Sequence, residues 1–169
     1  MTKNTVNETE RMVITRVFDA PRELVWKAWT DPKYMMRWWG PKDCTATFCE
    51  IDFRVGGKLL CCTRTPDGQE VWHGGEYHEI VLHEKIVISL YFSDADGNKV
   101  EPAQYGVEHE AIADAYDVIT FENFGNGQTK LTLIGSEPME SAKNSGQLEG
   151  WNEQLDKVAA VVAGLTQAK

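Results

Sequence analysis

The sequence predicts an α+β domain in which helices cover one face of an antiparallel sheet. Three observations carry that prediction. Over residues 44–136 apolar side chains recur with a period of two, punctuated by hairpin turns. Beyond them a single apolar stripe runs at helical spacing. Ahead of both, a short strand precedes two short helical signatures that meet at an Asp-Pro pair.

Residues 12–18 (MVITRVF) are rich in β-branched side chains and bounded by polar sequence, so they form the first strand. Asp19 stands two residues before Pro21, an order that opens a helix with proline in its first turn. Leu24, Val25, Ala28 and Trp29 follow at helical spacing. Asp31-Pro32 stops that helix and opens a second over residues 33–38, which Trp39-Gly40-Pro41 breaks.

The period then changes. Thr45, Thr47, Cys49, Ile51 and Phe53 alternate with Glu50, Asp52 and Arg54, the pattern of a strand with one buried face. Gly56-Gly57 turns the chain into a strand at 58–65, and Pro66-Asp67-Gly68 turns it again into one at 70–77. Residues 79–92 carry Ile80, Leu82, Ile86, Ile88, Leu90 and Phe92 on one parity and read as a single strand. Strands at 116–124 and 128–136 flank Gly125-Asn126-Gly127. That makes six or seven strands joined by hairpins, hence antiparallel. Residues 93–115 have no period, and a loop of that length is functional or mobile. Leu148, Trp151, Leu155, Val158, Val162 and Leu165 then form the stripe of a long C-terminal helix, with Glu149, Glu153, Asp156 and Lys157 on its other side.

Composition narrows the class. A chain of 169 residues suits one domain, here residues 12–169, preceded by a disordered polar arm at residues 1–11. Seventeen basic against 26 acidic residues leave a net charge of -9, which argues against nucleic acid as a partner. The start shows no apolar run behind a basic patch, so neither a secretion signal nor membrane insertion is expected. Cys44, Cys49, Cys61 and Cys62 include no CxxC pair and read as reduced thiols of a cytoplasmic protein.

Four stretches carry a family likeness: FDAPRELVWKAWTDPKYMMRWWGP, IDFRVGG, GGEYHEIVLHEKIVIS and GWNEQLDKVAAVVA. Over about residues 12–164 the chain resembles the SRPBCC superfamily, relatives of START and birch-pollen-allergen-like domains. More closely it is similar to the bacterial homologues of the activator of heat-shock protein 90 ATPase. The segment SDADGNKVEPAQYGVE resembles an insertion found in one branch of that group, and Arg54 with Gly56-Gly57 matches its RxGG turn. The resemblance implies the helix-grip fold: a curved sheet wraps the C-terminal helix, a cavity lies between them, and the two short helices sit near one end. Because this fold hosts carriers, cyclases, receptors and co-chaperone domains, function has to be argued from the site.

His73, His78 and His83 recur every five residues, which puts successive rings on opposite faces of a strand, so no metal site is expected. Asp94, Asp96 and Asn98 imitate a calcium loop, but Lys99 and Tyr105 stand where glycine and glutamate are needed. No GxSxG is present, and Cys49 and Cys61 lie on the apolar parity of their strands as buried thiols. Glu76, His78, Tyr105, Glu108 and His109 could serve general acid-base chemistry or be ordinary surface groups. Arg54 reads as a structural pin on its turn, and Gly56 and Gly57 are expected at positive backbone angles.

The apolar lining is the stronger signal. Leu59, Cys61 and Thr63 share a face, as do Ile119 with Phe121 and Leu131 with Leu133. Trp38, Trp39, Trp72, Trp151 and Leu155 add bulk, and Trp72, His73, Glu76, Tyr105 and His109 are the candidate polar groups of a pocket. The expectation is a cofactor-free domain, monomer or homodimer, that encloses a hydrophobic or amphipathic small molecule. Contact with a chaperone and a cyclase- or hydrolase-type activity stand as alternatives.

Overall fold

The chain runs β1 (Arg11–Phe18), α1 (Arg22–Thr30), α2 (Pro32–Met35), β2 (Thr45–Ile51), β3 (Lys58–Arg64), β4 (Glu70–Val81) and β5 (Lys85–Ser93). A 3-10 turn at Pro102–Tyr105, β6 (Asp117–Asn123), β7 (Thr129–Pro138), α3 (Met139–Ser145) and α4 (Gln147–Gln167) follow. This is a computed structural model, and it describes residues 11–107 and 115–167. The arm expected over residues 1–11 therefore lies outside the described residues except for Arg11, which already belongs to β1.

The seven strands form one antiparallel sheet in the order β1-β7-β6-β5-β4-β3-β2. Strands β2 to β7 are a continuous meander, and β1 returns to pair with β7, from Phe18 opposite Thr129 to Arg11 opposite Pro138. The architecture is the predicted α+β helix-grip arrangement, a curved sheet around the C-terminal helix with two short helices after the first strand.

One face of the sheet is apolar. Ile14, Leu133, Ile119 and Ile86 sit side by side across β1, β7, β6 and β5, and all are buried. The core they form with α1 and α4 includes Trp26, Trp29, Phe121, Leu131, Trp151, Leu155 and Val158. Polar contacts pin α4 over it. Arg16 on β1 reaches Asp156 at 2.8 Å and the Asn152 carbonyl at 3.1 Å. The Lys157 ammonium donates to the carbonyls of Gly40, Pro41 and Cys44 at 2.9–3.0 Å, tying the loop after α2 to the helix.

Several details depart from the sequence reading. Residues 79–92 are not one strand. β4 continues to Val81, a bulge between Tyr77 and Glu79 shifts its parity, and a tight turn with His83 at φ 61° leads into β5. No glycine or proline marks that turn, so it was invisible to turn chemistry. α2 ends at Met35, and the backbone continues through a tight turn closed by Trp39 N–H on the Met35 carbonyl at 2.9 Å. The first part of the long loop is built on a turn in which Asp94 Oδ1 accepts from the amides of Asp96 and Asn98, both at 2.9 Å, and the 3-10 turn follows. An extra helix, α3, precedes α4, with Gly146 at φ 84° between them.

Gly56 adopts φ 83°, as expected, with open space where a side chain would be. Gly57 has no positive φ. A Cβ there would lie 2.0 Å from the Asp52 carbonyl oxygen, so close approach of backbone, not backbone angle, requires glycine. Arg54 Nε bonds Asp52 Oδ2 at 2.9 Å across the same turn.

Candidate functional site

Strand register decides what can meet inside. Cys49, Cys61, His73 and Phe92 form one transverse row on the inner face of β2 to β5, and Ile51, Leu59, Gly75 and Leu90 form the next. Gly75 leaves the second row without a side chain in its middle. A Cβ there would come within 2.8 Å of the Ser89 carbonyl oxygen and 3.1 Å of Leu90, so the position is already closely approached.

Between these rows and the helices lies a cavity of about 20 Å³, walled by Trp29, Met35, Trp39, Leu59, Tyr77, Ile86, Ile88, Leu90, Ile119 and Trp151. Its surface is almost wholly apolar. That volume holds about one water molecule, whereas pockets for drug-sized ligands are roughly 300 Å³ or more. Side chains fill most of the space that the fold leaves between sheet and helix.

Aromatic packing closes it. Trp29 stacks on Trp151 with centroids 6.1 Å apart and planes at 17°, while Trp39 meets Trp151 edge-on at 6.5 Å. Trp38 stands behind them, its Nε1 donating to the Ala28 carbonyl at 2.8 Å. A second aromatic row leads away from the cavity: Trp39 to His73 at 5.9 Å, His73 to Phe92 at 4.7 Å, and Phe92 to Tyr105 at 5.8 Å. The Tyr105 hydroxyl donates to the Ser93 carbonyl.

Of the residues expected at the pocket, Trp39, Leu59, Ile119 and Trp151 form its wall. Cys61, Thr63 and His73 share the inner face but lie one step or more along it, toward Gly40, whose Cβ would meet Thr63 at 2.7 Å. Phe121, Leu131, Leu133 and Leu155 are buried in the core beyond the cavity, and Trp38 supports the wall from behind. Trp72 and Glu76 do not join them. Trp72 pairs with Cys62 and packs on Phe48 at 5.6 Å, and Glu76 bonds Lys58, all on the opposite face of the sheet. Adjacent Cys61 and Cys62 are both buried, so residue type did not reveal which parity of β4 faced inward. His109 and Glu108 lie outside the described residues.

The sequence reading missed Trp29, Met35 and Tyr77 as wall residues. Tyr77 had a usable signal, since it shares parity with Gly75 on β4. Ile86, Ile88 and Leu90 were on the recognised apolar parity.

Electrostatics single out a few of these groups. The Trp29 indole N–H and the Tyr77 hydroxyl, both on wall residues, are buried without a protein hydrogen-bond partner. So are Thr63 Oγ1 and His73 Nδ1 on the same inner face. Burial pushes the His73 imidazole down to about 4, so it is neutral near pH 7. It also raises the Tyr77 phenol, with the sulfurs of Cys61 and Cys49 adding to the effect. His73 and Glu76 project from opposite faces of β4 and cannot act as one acid-base pair. Among the described residues no cluster of His, Cys, Asp or Glu could hold a metal ion, and no helix is long and apolar enough to cross a membrane.

Comparison with known proteins places this geometry. A family model described as Activator of Hsp90 ATPase homolog 1-like protein matches residues 19–163. Among solved structures, a protein from Arthrobacter aurescens is 26% identical with a TM-score of 0.75, covering 93% of this chain and 88% of that one. A protein from Chromobacterium violaceum is 26% identical with a TM-score of 0.70, covering 91% and 97%. One from Mycobacterium smegmatis, 23% identical with a TM-score of 0.73 and covering 91% of each chain, shows the shared fold. No curated protein matches the chain.

Proposed function

We propose that this chain, which belongs to the family of Activator of Hsp90 ATPase homolog 1-like proteins, binds a small hydrophobic or amphipathic molecule between its sheet and α4. The observation that carries the reading is a wall of apolar side chains in which two residues, Trp29 and Tyr77, hold buried polar atoms with no partner in the protein. Apolar pockets with a few such groups select ligands by burying a hydrocarbon surface and orienting one or two polar atoms. A core built only for stability has no use for unpaired groups, each of which costs about 1–3 kcal/mol when sealed from water.

A cavity of about 20 Å³ admits no organic ligand as it stands, so binding requires the wall to part. Trp39 is the side chain placed to do so. It belongs both to the wall and to the row that runs through His73 and Phe92 to Tyr105, and it lies beyond the end of α2 at Met35, in a segment whose backbone is held to α4 by side chains of Gln154 and Lys157. The test is a titration with fatty acids, aromatic acids and polyketide-like phenols. Binding would be followed by tryptophan fluorescence, which Trp29, Trp39 and Trp151 should dominate, and by native mass spectrometry. Saturable binding of a single molecule, lost when Ile119 or Leu59 is replaced by a charged residue in a chain that still folds, is the expected result. A folded protein that binds no member of any class would remove the reading.

The family's description supports a second reading, contact with a heat-shock-protein-90 chaperone. Its test is the ATPase rate of a bacterial chaperone homologue with and without the purified chain, and an unchanged rate together with no complex would dismiss it.

A further inference from the structure

Two of the four cysteines meet. Cys49 on β2 stands directly opposite Cys61 on β3, and the Cys61 thiol donates to the Cys49 sulfur at 3.3 Å. Asp52 N–H bonds the Lys58 carbonyl at 2.9 Å, which fixes that pair as hydrogen-bonded. Counting along the ladder, Ile51 with Leu59 is then a non-hydrogen-bonded pair, Glu50 with Leu60 is hydrogen-bonded, and Cys49 with Cys61 is non-hydrogen-bonded. At such positions the Cα atoms approach to about 4.5 Å and the side chains lie closest. That separation falls within the roughly 4.4–6.8 Å a disulfide spans.

The two thiols differ in access. Cys61 is fully buried, and the contact with Cys49 together with burial pushes its thiol far up. Cys49 is only half-buried and sits on the edge strand of the sheet, which makes it the more open of the two sulfurs to a small oxidant. The remaining cysteines are placed apart. Cys62 faces the opposite side of β3 with its sulfur 3.8 Å from a Glu70 carboxylate oxygen, and Cys44 precedes β2.

We propose that Cys49 and Cys61 are a redox modification site, a dithiol that a peroxide converts to an intramolecular disulfide bridging β2 and β3. In the first step the Cys49 sulfur attacks one peroxide oxygen. The S–O bond forms, the O–O bond breaks, and the departing oxygen leaves as water, with Cys49 as a sulfenic acid. The Cys61 sulfur then attacks the Cys49 sulfur. The S–S bond forms, the S–O bond breaks, and a second water leaves with the Cys61 proton. Each sulfur is oxidised by one electron and the peroxide is reduced by two. The geometry supplies the second step, because the resolving sulfur is already in contact with the first.

The bridge lies two residues along β3 from the cavity wall at Leu59 and beside Tyr77, and it draws the Cys61 sulfur toward the sheet edge. The modification thus acts on the inner face itself.

The test treats the native full-length chain with hydrogen peroxide, blocks free thiols, and maps peptides without reduction. The expected result is a mass lower by two hydrogen atoms, a cross-linked peptide pair containing Cys49 and Cys61, and reversal by dithiothreitol. A Cys44→Ser, Cys62→Ser double variant, which keeps the pair, should behave like the parent, and Cys61→Ser should leave Cys49 trapped as a dimedone adduct. Cross-linking that prefers Cys44 or Cys62, a bridge that forms only between chains or only after denaturation, or a peroxide-treated native chain with Cys49 and Cys61 still alkylated in full would overturn the proposal.

Discussion

Tyr77→Phe separates a pocket from a mere core. Tyr77 is 2% exposed and its hydroxyl meets no hydrogen-bond acceptor or donor of the protein. A sealed hydroxyl without a partner costs about 1–3 kcal/mol, and phenylalanine fills the same ring volume, including the edge contacts to Phe53 at 5.1 Å. The variant should therefore gain about 1 kcal/mol, the low end of that range, because the unfolded chain also loses a hydrated group. For a chain of this length that corresponds to a rise of about 3 °C in Tm. The same change removes one of the two unpaired polar atoms on which the proposed binding relies, so affinity for an amphipathic molecule that binds the parent should fall about tenfold, equivalent to 1.4 kcal/mol. Thermal unfolding of both proteins, alone and with saturating ligand, reads the two effects together: the variant is more stable alone and shifts less on binding. A fall in Tm of about 3 °C in the unliganded variant would refute the reasoning, since it would mean the hydroxyl is satisfied in solution.

Other expectations follow from buried groups. Burial lifts the Asp117 carboxyl from 3.8 to about 7, so the folded chain holds a proton that the unfolded chain has lost between those values. That stabilisation is complete below about pH 4, is lost as pH rises through about 7, and amounts to at most about 4 kcal/mol; because the buried neutral His73 acts with the opposite slope in both proteins, the measure is the difference, and the urea midpoint of the parent should fall relative to that of Asp117→Asn between pH 5 and 8. Gly57→Ala should cost about 3 kcal/mol because its Cβ would strike the Asp52 carbonyl at 2.0 Å, whereas Gly56→Ala should cost only about 1 kcal/mol for its φ of 83°, a contrast readable by chemical denaturation. Leu155→Ala removes a fully buried side chain of α4 and should cost about 3 kcal/mol by the same measurement.

The fold was legible where one face of an element is buried and the other is wet. Ile86, Ile88 and Leu90 declare an inner face by alternation, and the stripe from Leu148 to Leu165 declares α4 by its spacing. Legibility failed where that contrast is missing. α3 buries only Ala142 and so has no stripe to find. The turn at His83 uses no turn residue, and the bulge after Tyr77 hides it by shifting parity. Trp72 and His73 are neighbours on a strand with apolar contacts on both sides, so their faces could be told apart only by register. The size of the cavity was not legible at all, because it depends on how Trp29, Trp39 and Trp151 interlock across three different elements. Nor does alternation alone show that Cys49 and Cys61 are direct partners; that required knowing where the β2–β3 ladder begins.

The order of elements along the chain also sets an order in time. Every strand of the sheet precedes α4 in sequence, with Pro138 ending β7 before Gln147 opens the helix. On a ribosome, which delivers the N-terminal part first, the meander is made while Trp151 and Leu155 have yet to be added. The concave face, with Leu59, Ile119, Leu131 and Leu133 on it, is then an uncovered apolar trough. Anything that shields that trough in the interval meets the same side chains that the finished helix later covers.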